Sequence, residues 1–134
     1  MKTVQKVFLA IILILFFSFM PSTSEIEEDI IGIWVFEEYD EGHRVYKKED
    51  RFDKTKRGIE FRKDGTLARR QNAGWCGTPP ISYKNFSGTW EKVSDTKISM
   101  TYKYWGGEME VDWLIVEVNN QKLKVETLDN RKKE

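Results

Sequence analysis

One cysteine, Cys76, and one histidine, His43, are the side chains in this chain that most readily support nucleophilic or metal chemistry. A cysteine nucleophile needs a nearby base, a structural zinc site needs four ligands and an intramolecular disulfide needs a second cysteine. His43 lies far from Cys76 in the sequence, and no spacing of carboxylates completes a metal site. The sequence therefore favours a packing role for Cys76, with sensitivity to oxidation or a bridge between two chains as the alternatives.

Paired carboxylates are a second possible source of chemistry. Glu110 and Asp112 fall on one face of a predicted strand, but alternating charge of this kind is typical of a solvated sheet face. The sequence shows no Ser-His-Asp pattern, no glycine-rich phosphate loop and no nucleotide-binding fingerprint. We therefore expect a protein that is not an enzyme and that binds neither a metal nor a cofactor.

The N-terminal residues 1–24 have the layout of a secretory signal peptide. Lys2 and Lys6 precede an apolar stretch over residues 7–20, Pro21 ends it, and small residues follow at a plausible cleavage point. The apolar stretch is shorter than the roughly 20 residues that cross a bilayer. We expect an exported chain, periplasmic or extracellular, with an uncleaved N-terminal membrane anchor as the alternative.

The balance of charge argues against nucleic acid as a partner. The chain has 22 basic and 22 acidic residues, and removal of residues 1–24 leaves a net charge near −2. A nucleic-acid-binding surface normally carries a strong excess of positive charge. The basic residues near the C-terminus are therefore expected to be solvated.

Residues 25–134 read as a single domain of short strands separated by turn residues, after one short helical turn. Residues 97–104 alternate strictly, and residues 58–70 form a hairpin around Asp64-Gly65. In the predicted strand over residues 108–118, both faces become apolar from Leu114 onward, which predicts burial on both sides. About eight strands at hairpin spacing predict an all-β fold, an antiparallel up-and-down meander that closes into a small barrel.

Two tripeptides, Gly32-Ile33-Trp34 and Gly88-Thr89-Trp90, carry a resemblance to a known family. A glycine permits close approach of the chain, and the tryptophan can plug one end of a barrel. With the N-terminal segment, the hairpin over residues 59–67 and the long final strands, residues 30–128 resemble the lipocalin-like small barrels of secreted or envelope proteins in Bacteroidetes-type bacteria. The resemblance implies a small apolar ligand bound in or at the mouth of the barrel. It also implies that a basic residue near the C-terminus packs on Trp34, for which Arg131 is the candidate.

Large apolar residues on the predicted inner faces are the candidate ligand-binding residues: Trp34, Phe61, Trp75, Trp90, Met100, Tyr102, Tyr104, Met109 and Trp113. The alternative is that these residues simply fill the barrel. Trp75 and Cys76 lie in a loop stiffened by Pro79 and Pro80, which could cap the barrel or contact a partner. A non-catalytic protein-interaction module, or an envelope accessory protein with a filled core, is therefore the rival hypothesis.

Overall fold

A computed structural model describes residues 25–74 and 78–133 of the chain, so residues 1–24 and the predicted loop residues Trp75 and Cys76 lie outside it. One short helix is followed by eight antiparallel strands in a closed barrel, which confirms the predicted fold class. Among the residues described, no helix has the length and apolar character that crossing a membrane requires. The elements are α1 (Glu25–Ile30), β1 (Gly32–Asp40), β2 (His43–Glu49), β3 (Gly58–Phe61), β4 (Thr66–Asn72), β5 (Tyr83–Lys92), β6 (Lys97–Tyr104), β7 (Gly107–Val118) and β8 (Lys122–Lys133).

The strand order is a meander from β3 to β8, with the β1–β2 hairpin inserted so that β1 pairs with β3 and β2 pairs with β8. The connection from β2 to β3 therefore passes β1 on its outer surface. Phe52 from this connection and Val35 from β1 line the same groove there. The N–H of Phe36 donates a hydrogen bond to the carbonyl oxygen of Arg57 at 2.9 Å, which ties the connection to β1.

The end of the barrel next to α1, called the base below, is filled by apolar side chains. Trp34 is fully buried and donates its Nε1–H to the carbonyl oxygen of Ile30 at 2.7 Å. Trp90 donates its Nε1–H to the carbonyl oxygen of Arg62 at 3.0 Å. Each indole therefore buries its apolar surface and satisfies its one polar group, as buried tryptophans usually do. The side chains that fill the base are Ile30, Trp34, Ile59, Phe61, Leu67, Trp90, Ile98, Met100, Trp113, Ile115 and Leu123.

Trp34 is covered by Lys48 of β2, and the contact with Arg131 that the resemblance implied is wrong. The Lys48 Nζ lies 5.1 Å from the centre of the Trp34 ring. Gly32 makes room for this side chain: it has a φ of +130°, and a Cβ at this position would lie 2.9 Å from the Lys48 Cε. Arg131 instead pairs with Glu110 at 3.1 Å, because β8 places it opposite that residue on β7.

The second half of β7 is buried on one face, so the prediction of burial on both sides is wrong. Trp113 and Ile115 point into the barrel, whereas Val116 is 46% exposed. A single sheet closed on itself has no second layer to cover its outer face. Glu110 and Asp112 lie on this outer surface. Hydrogen bonds from Ser99 and Lys97 to Asp112 hold the pKa of that carboxyl below its usual value.

Candidate functional site

A cavity of about 260 Å³ lies at the end of the barrel away from α1, called the mouth below. The end of β1, the start of β2, the end of β4 and the β6–β7 turn surround it. Its lining mixes aromatic rings, one methionine and three arginines. The lining residues are Phe36, Tyr39, Arg44, Tyr46, Arg57, Arg69, Gln71, Asn72, Tyr102, Tyr104, Trp105, Met109, Val111 and Asn130.

The shortness of β3 helps to explain why space remains at the mouth. β3 has four residues, and its pairing with β1 ends at Val35. Apart from the hydrogen bond from Phe36 to Arg57, residues 36–40 of β1 therefore pair with β2 alone. On the other side of β3, β4 continues toward the mouth as far as Asn72, where it pairs with β5. Phe36, Arg57 and Gln71 line the cavity where β3 no longer separates β1 from β4.

A series of aromatic contacts connects the filled base to the mouth. Neighbouring ring centres are 5.1 to 6.3 Å apart, and most pairs meet edge to face, the arrangement that aromatic rings favour. The series fixes the orientation of the rings that form the wall of the cavity. In order from base to mouth it runs through Trp90, Phe61, Trp113, Tyr46, Phe36 and Tyr39.

Among the described residues, Arg69 of β4 is the charged side chain that the barrel encloses most completely. It is 9% exposed, and its Nε and Nη1 atoms are buried with no hydrogen-bond partner within the described part of the chain. Its Cζ lies 4.8 Å from the centre of the Tyr102 ring and 5.3 Å from that of Trp113. These cation–π contacts stabilise the charge without using its N–H donors.

Three of the predicted ligand-binding residues, Tyr102, Tyr104 and Met109, line the cavity together. The Tyr102 hydroxyl lies 3.8 Å from the Met109 sulfur, a weak hydrogen bond that joins β6 to β7. The predicted Trp75 lies outside the described residues. The remaining five are packed in the base and do not line this cavity: Trp34, Phe61, Trp90, Met100 and Trp113.

Sequence reasoning missed Arg69, although the alternation of β4 contains a signal for it. Leu67 is a core residue, and Arg69 lies two positions later, on the same face of the strand. Ala68 is also buried, which obscures the alternation in this short segment. An arginine two positions after the inward-facing Leu67, on the same face of β4, is the feature that would have identified the mouth.

The β1–β2 turn beside the mouth is held to β8 by an ion pair. Lys124 Nζ donates a hydrogen bond to Asp40 Oδ2 at 2.8 Å. This bond lowers the pKa of Asp40 and raises the pKa of Lys124. His43 lies in the same region, with its Nε2 3.9 Å from Glu126. The hairpin that forms one wall of the mouth is thus anchored at its end.

Comparison of the chain with protein-family models, with curated proteins and with solved structures found no match. Function is therefore inferred from the cavity and the side chains around it.

Proposed function

We propose that this chain is an exported barrel that binds a small, largely apolar ligand at its mouth. The observation that carries the proposal is the cavity of about 260 Å³ between aromatic side chains of a closed barrel. Ligand sites in proteins are typically concave, largely apolar and about 300–1,000 Å³ in volume. This cavity lies just below that range, which favours a ligand of one or two rings.

The aromatic rings and the methionine that line the cavity support binding of an apolar body. Tyr46 and Tyr102 are buried and held in contact with Trp113 or Arg69, so they form a rigid wall. Met109 is partly buried, and its flexible, polarisable side chain can adapt to the outline of a ligand. Pre-positioned rings reduce the ordering that binding would otherwise require.

The filled base limits how deep a ligand can enter. Trp113, Phe61 and Met100 occupy the interior below the mouth and are almost completely buried. A long acyl chain that runs the length of the barrel would have to displace them. The proposed ligand is therefore short and compact.

An occlusion experiment tests this proposal. Gln71 lies at the mouth and is partly exposed, so Gln71→Trp is expected to fill the cavity without disturbing the base. The matched control is Thr89→Trp, on the exposed outer face of β5. We expect 2-naphthamide, followed by quenching of tryptophan fluorescence, to bind the wild type and Thr89→Trp but to bind Gln71→Trp at least tenfold more weakly.

Native mass spectrometry of protein purified from its own host provides the second readout. A bound small-molecule mass in the wild type and Thr89→Trp, absent from Gln71→Trp, is the expected result. No bound mass in any of them, together with no affinity for 2-naphthamide, would contradict the proposal.

Export rests on the sequence of residues 1–24, with its basic start and apolar stretch. Intact-mass measurement of the protein from the periplasm or medium of its host tests it. We expect the mass to correspond to a chain that has lost residues 1–24. A full-length chain in the membrane fraction would favour the uncleaved anchor, and a full-length chain in the cytoplasm would contradict export.

Docking of an envelope protein on the mouth is the second candidate, favoured by two exposed aromatic side chains. Tyr39 is 59% exposed and Trp105 is 53% exposed, and both border the cavity. Crosslinking in the host distinguishes the two functions. A crosslinked partner that is lost in Trp105→Ser but retained in Gln71→Trp would favour docking over ligand binding.

A further inference from the structure

Arg69 poses a physical problem that the described residues alone do not solve. Burial of a cation is unfavourable unless the charge is paired and its donors are hydrogen-bonded. Arg69 is 9% exposed, and two of its nitrogen atoms are buried and unpaired among the residues described. The two aromatic rings beside it offset part of this cost, but they accept no hydrogen bonds from its N–H groups, which lie in the plane of the guanidinium.

The surroundings of Arg69 are positive as well. Arg44 and Arg57 line the same cavity, and none of the described lining residues is an aspartate or a glutamate. Three arginines and no acidic residue in the described lining give this cavity a positive lining, which favours an anion. The acidic partner that Arg69 lacks is therefore expected to arrive with the ligand.

Resting on the proposed binding function, we propose that the ligand is a small organic carboxylate whose carboxyl group pairs with Arg69. The planar fork of a guanidinium matches the two oxygens of a carboxylate, and such charge-assisted pairs are among the strongest hydrogen bonds in proteins. The ring or apolar body then lies against Tyr46, Tyr102 and Met109, which line the same cavity.

The position of Arg69 favours an anion that is part of a larger ligand over a bound inorganic ion. Its guanidinium lies beside Tyr102 and Trp113, where the cavity meets the filled interior. An inorganic anion paired with Arg69 would leave Phe36 and Tyr104, which line the same cavity, without a contact to the ligand. A carboxylate with a ring attached satisfies Arg69 and covers those side chains at the same time.

A matched pair of probes separates charge from shape. The carboxylate 2-naphthoate and the neutral 2-naphthamide differ little in size, and both are titrated against tryptophan fluorescence at pH 7. We expect the wild type to bind 2-naphthoate at least tenfold more tightly than 2-naphthamide. In Arg69→Met this preference is expected to fall below twofold, with 2-naphthamide binding retained.

The control Arg62→Gln removes an exposed arginine near the base and is expected to keep the full preference for 2-naphthoate. Arg69→Lys keeps the charge but loses the fork, and an intermediate preference is expected. Because Arg69→Lys preserves the buried charge, it also tests the inference if Arg69→Met does not fold.

The outcomes distinguish this inference from the proposal on which it rests. Equal binding of 2-naphthoate and 2-naphthamide to the wild type, or an unchanged preference in Arg69→Met, overturns the carboxylate site but leaves the ligand-binding barrel. Binding of neither probe contradicts both. Tighter binding of 2-naphthyl phosphate than of 2-naphthoate overturns the assignment of a carboxylate and favours a phosphate ester.

Discussion

The base and the mouth of this barrel are built from the same strands, yet one is filled and the other is open. At the base, inward positions hold large apolar residues such as Trp34 and Phe61, which are almost completely buried. At the mouth, the inward face of β4 carries Arg69 and Gln71, and both residues line a cavity of about 260 Å³. The contrast separates a region that stabilises the fold from a region that is free to bind.

This division is physically consistent with the size of the protein. A domain of about 110 residues buries a modest fraction of its surface, so it must pack part of its interior efficiently. The base supplies that packing, together with the indole hydrogen bonds of Trp34 and Trp90. The mouth can then hold an unpaired buried charge, a feature that is unfavourable for stability and useful for binding.

Truncation of a ring at the base should produce the largest effect, because it leaves a cavity in a filled region. Phe61→Ala is expected to lower the free energy of unfolding by about 3–5 kcal/mol. Phe36→Ala at the mouth is expected to lower it by roughly 1–2 kcal/mol, since this ring is partly exposed and beside existing space. Urea unfolding measures both, and equal losses would show that the base and the mouth do not differ in packing.

Gly88 tests the boundary between the two regions. A Cβ at this position would meet the carbonyl oxygen of Thr101 and would lie 2.7 Å from the Tyr102 Cβ. Gly88→Ala is therefore expected to lower the free energy of unfolding by about 1–3 kcal/mol and to displace the Tyr102 wall of the cavity.

Gly74→Ala is the matched control for Gly88→Ala, because a Cβ on Gly74 would meet no atom of the described residues within 4 Å. Its effect on urea unfolding should stay within about 0.5 kcal/mol. If the two alanine variants unfold at the same urea concentration, the close approach of β5 to β6 at Gly88 is not a constraint on the barrel.

Replacement of the buried Arg69 should raise the free energy of unfolding, whereas the substitutions at Phe61 and Gly88 lower it. Arg69→Met removes an unpaired buried cation and is expected to raise the free energy of unfolding of the ligand-free protein by about 1–2 kcal/mol. Arg62→Met, at an exposed position, should change it by less than about 0.5 kcal/mol. Thermal or urea unfolding without ligand measures both. A loss of stability in Arg69→Met would mean that its cation–π contacts outweigh the cost of burial.

The smallest effect concerns acid stability. Hydrogen bonding with Lys124 lowers the pKa of Asp40 in the folded protein below the ordinary value of 3.8 for an aspartate. The contribution of Asp40 to stability is therefore present above pH 3.8 and is lost as the pH falls through the lowered folded value. We expect Asp40→Asn to reduce the loss of stability between pH 5 and pH 2, measured by urea unfolding.

Lys124→Gln should reproduce the effect of Asp40→Asn on acid stability, because each variant removes the same ion pair. The double variant should add little to either single change. Additive effects would show that the two side chains act independently and that their pair does not anchor the β1–β2 turn.

Much of the base follows from the pattern of apolar residues. The alternation of Ile98, Met100 and Tyr102 predicts the inner face of β6, and the structure confirms it. The motif around Gly32 correctly indicates a tryptophan at one end of the barrel, but the cation above it is Lys48 and not Arg131. The basic residue could not be assigned from the sequence, because it depends on which strand lies beside β1.

The candidate site was less accessible to sequence reasoning. Tyr102, Tyr104 and Met109 were correctly placed on inner faces, but the same pattern describes Met100 and Trp113, which lie in the filled base. Periodicity indicates whether a side chain points inward, and it carries no information about how much space the opposite wall leaves. Arg69 was overlooked because a charged residue on a short strand is usually assigned to the solvent face.

The amino-acid sequence by itself determined the all-β class and about eight antiparallel strands, since period-two alternation and turn residues act over short distances. Only the tertiary structure decided that β1 lies between β2 and β3, that the base is filled, and that Arg69 lies unpaired beside an open cavity. These features depend on contacts between residues far apart in the chain. Pairing of strands and packing of their side chains arise only when the barrel closes.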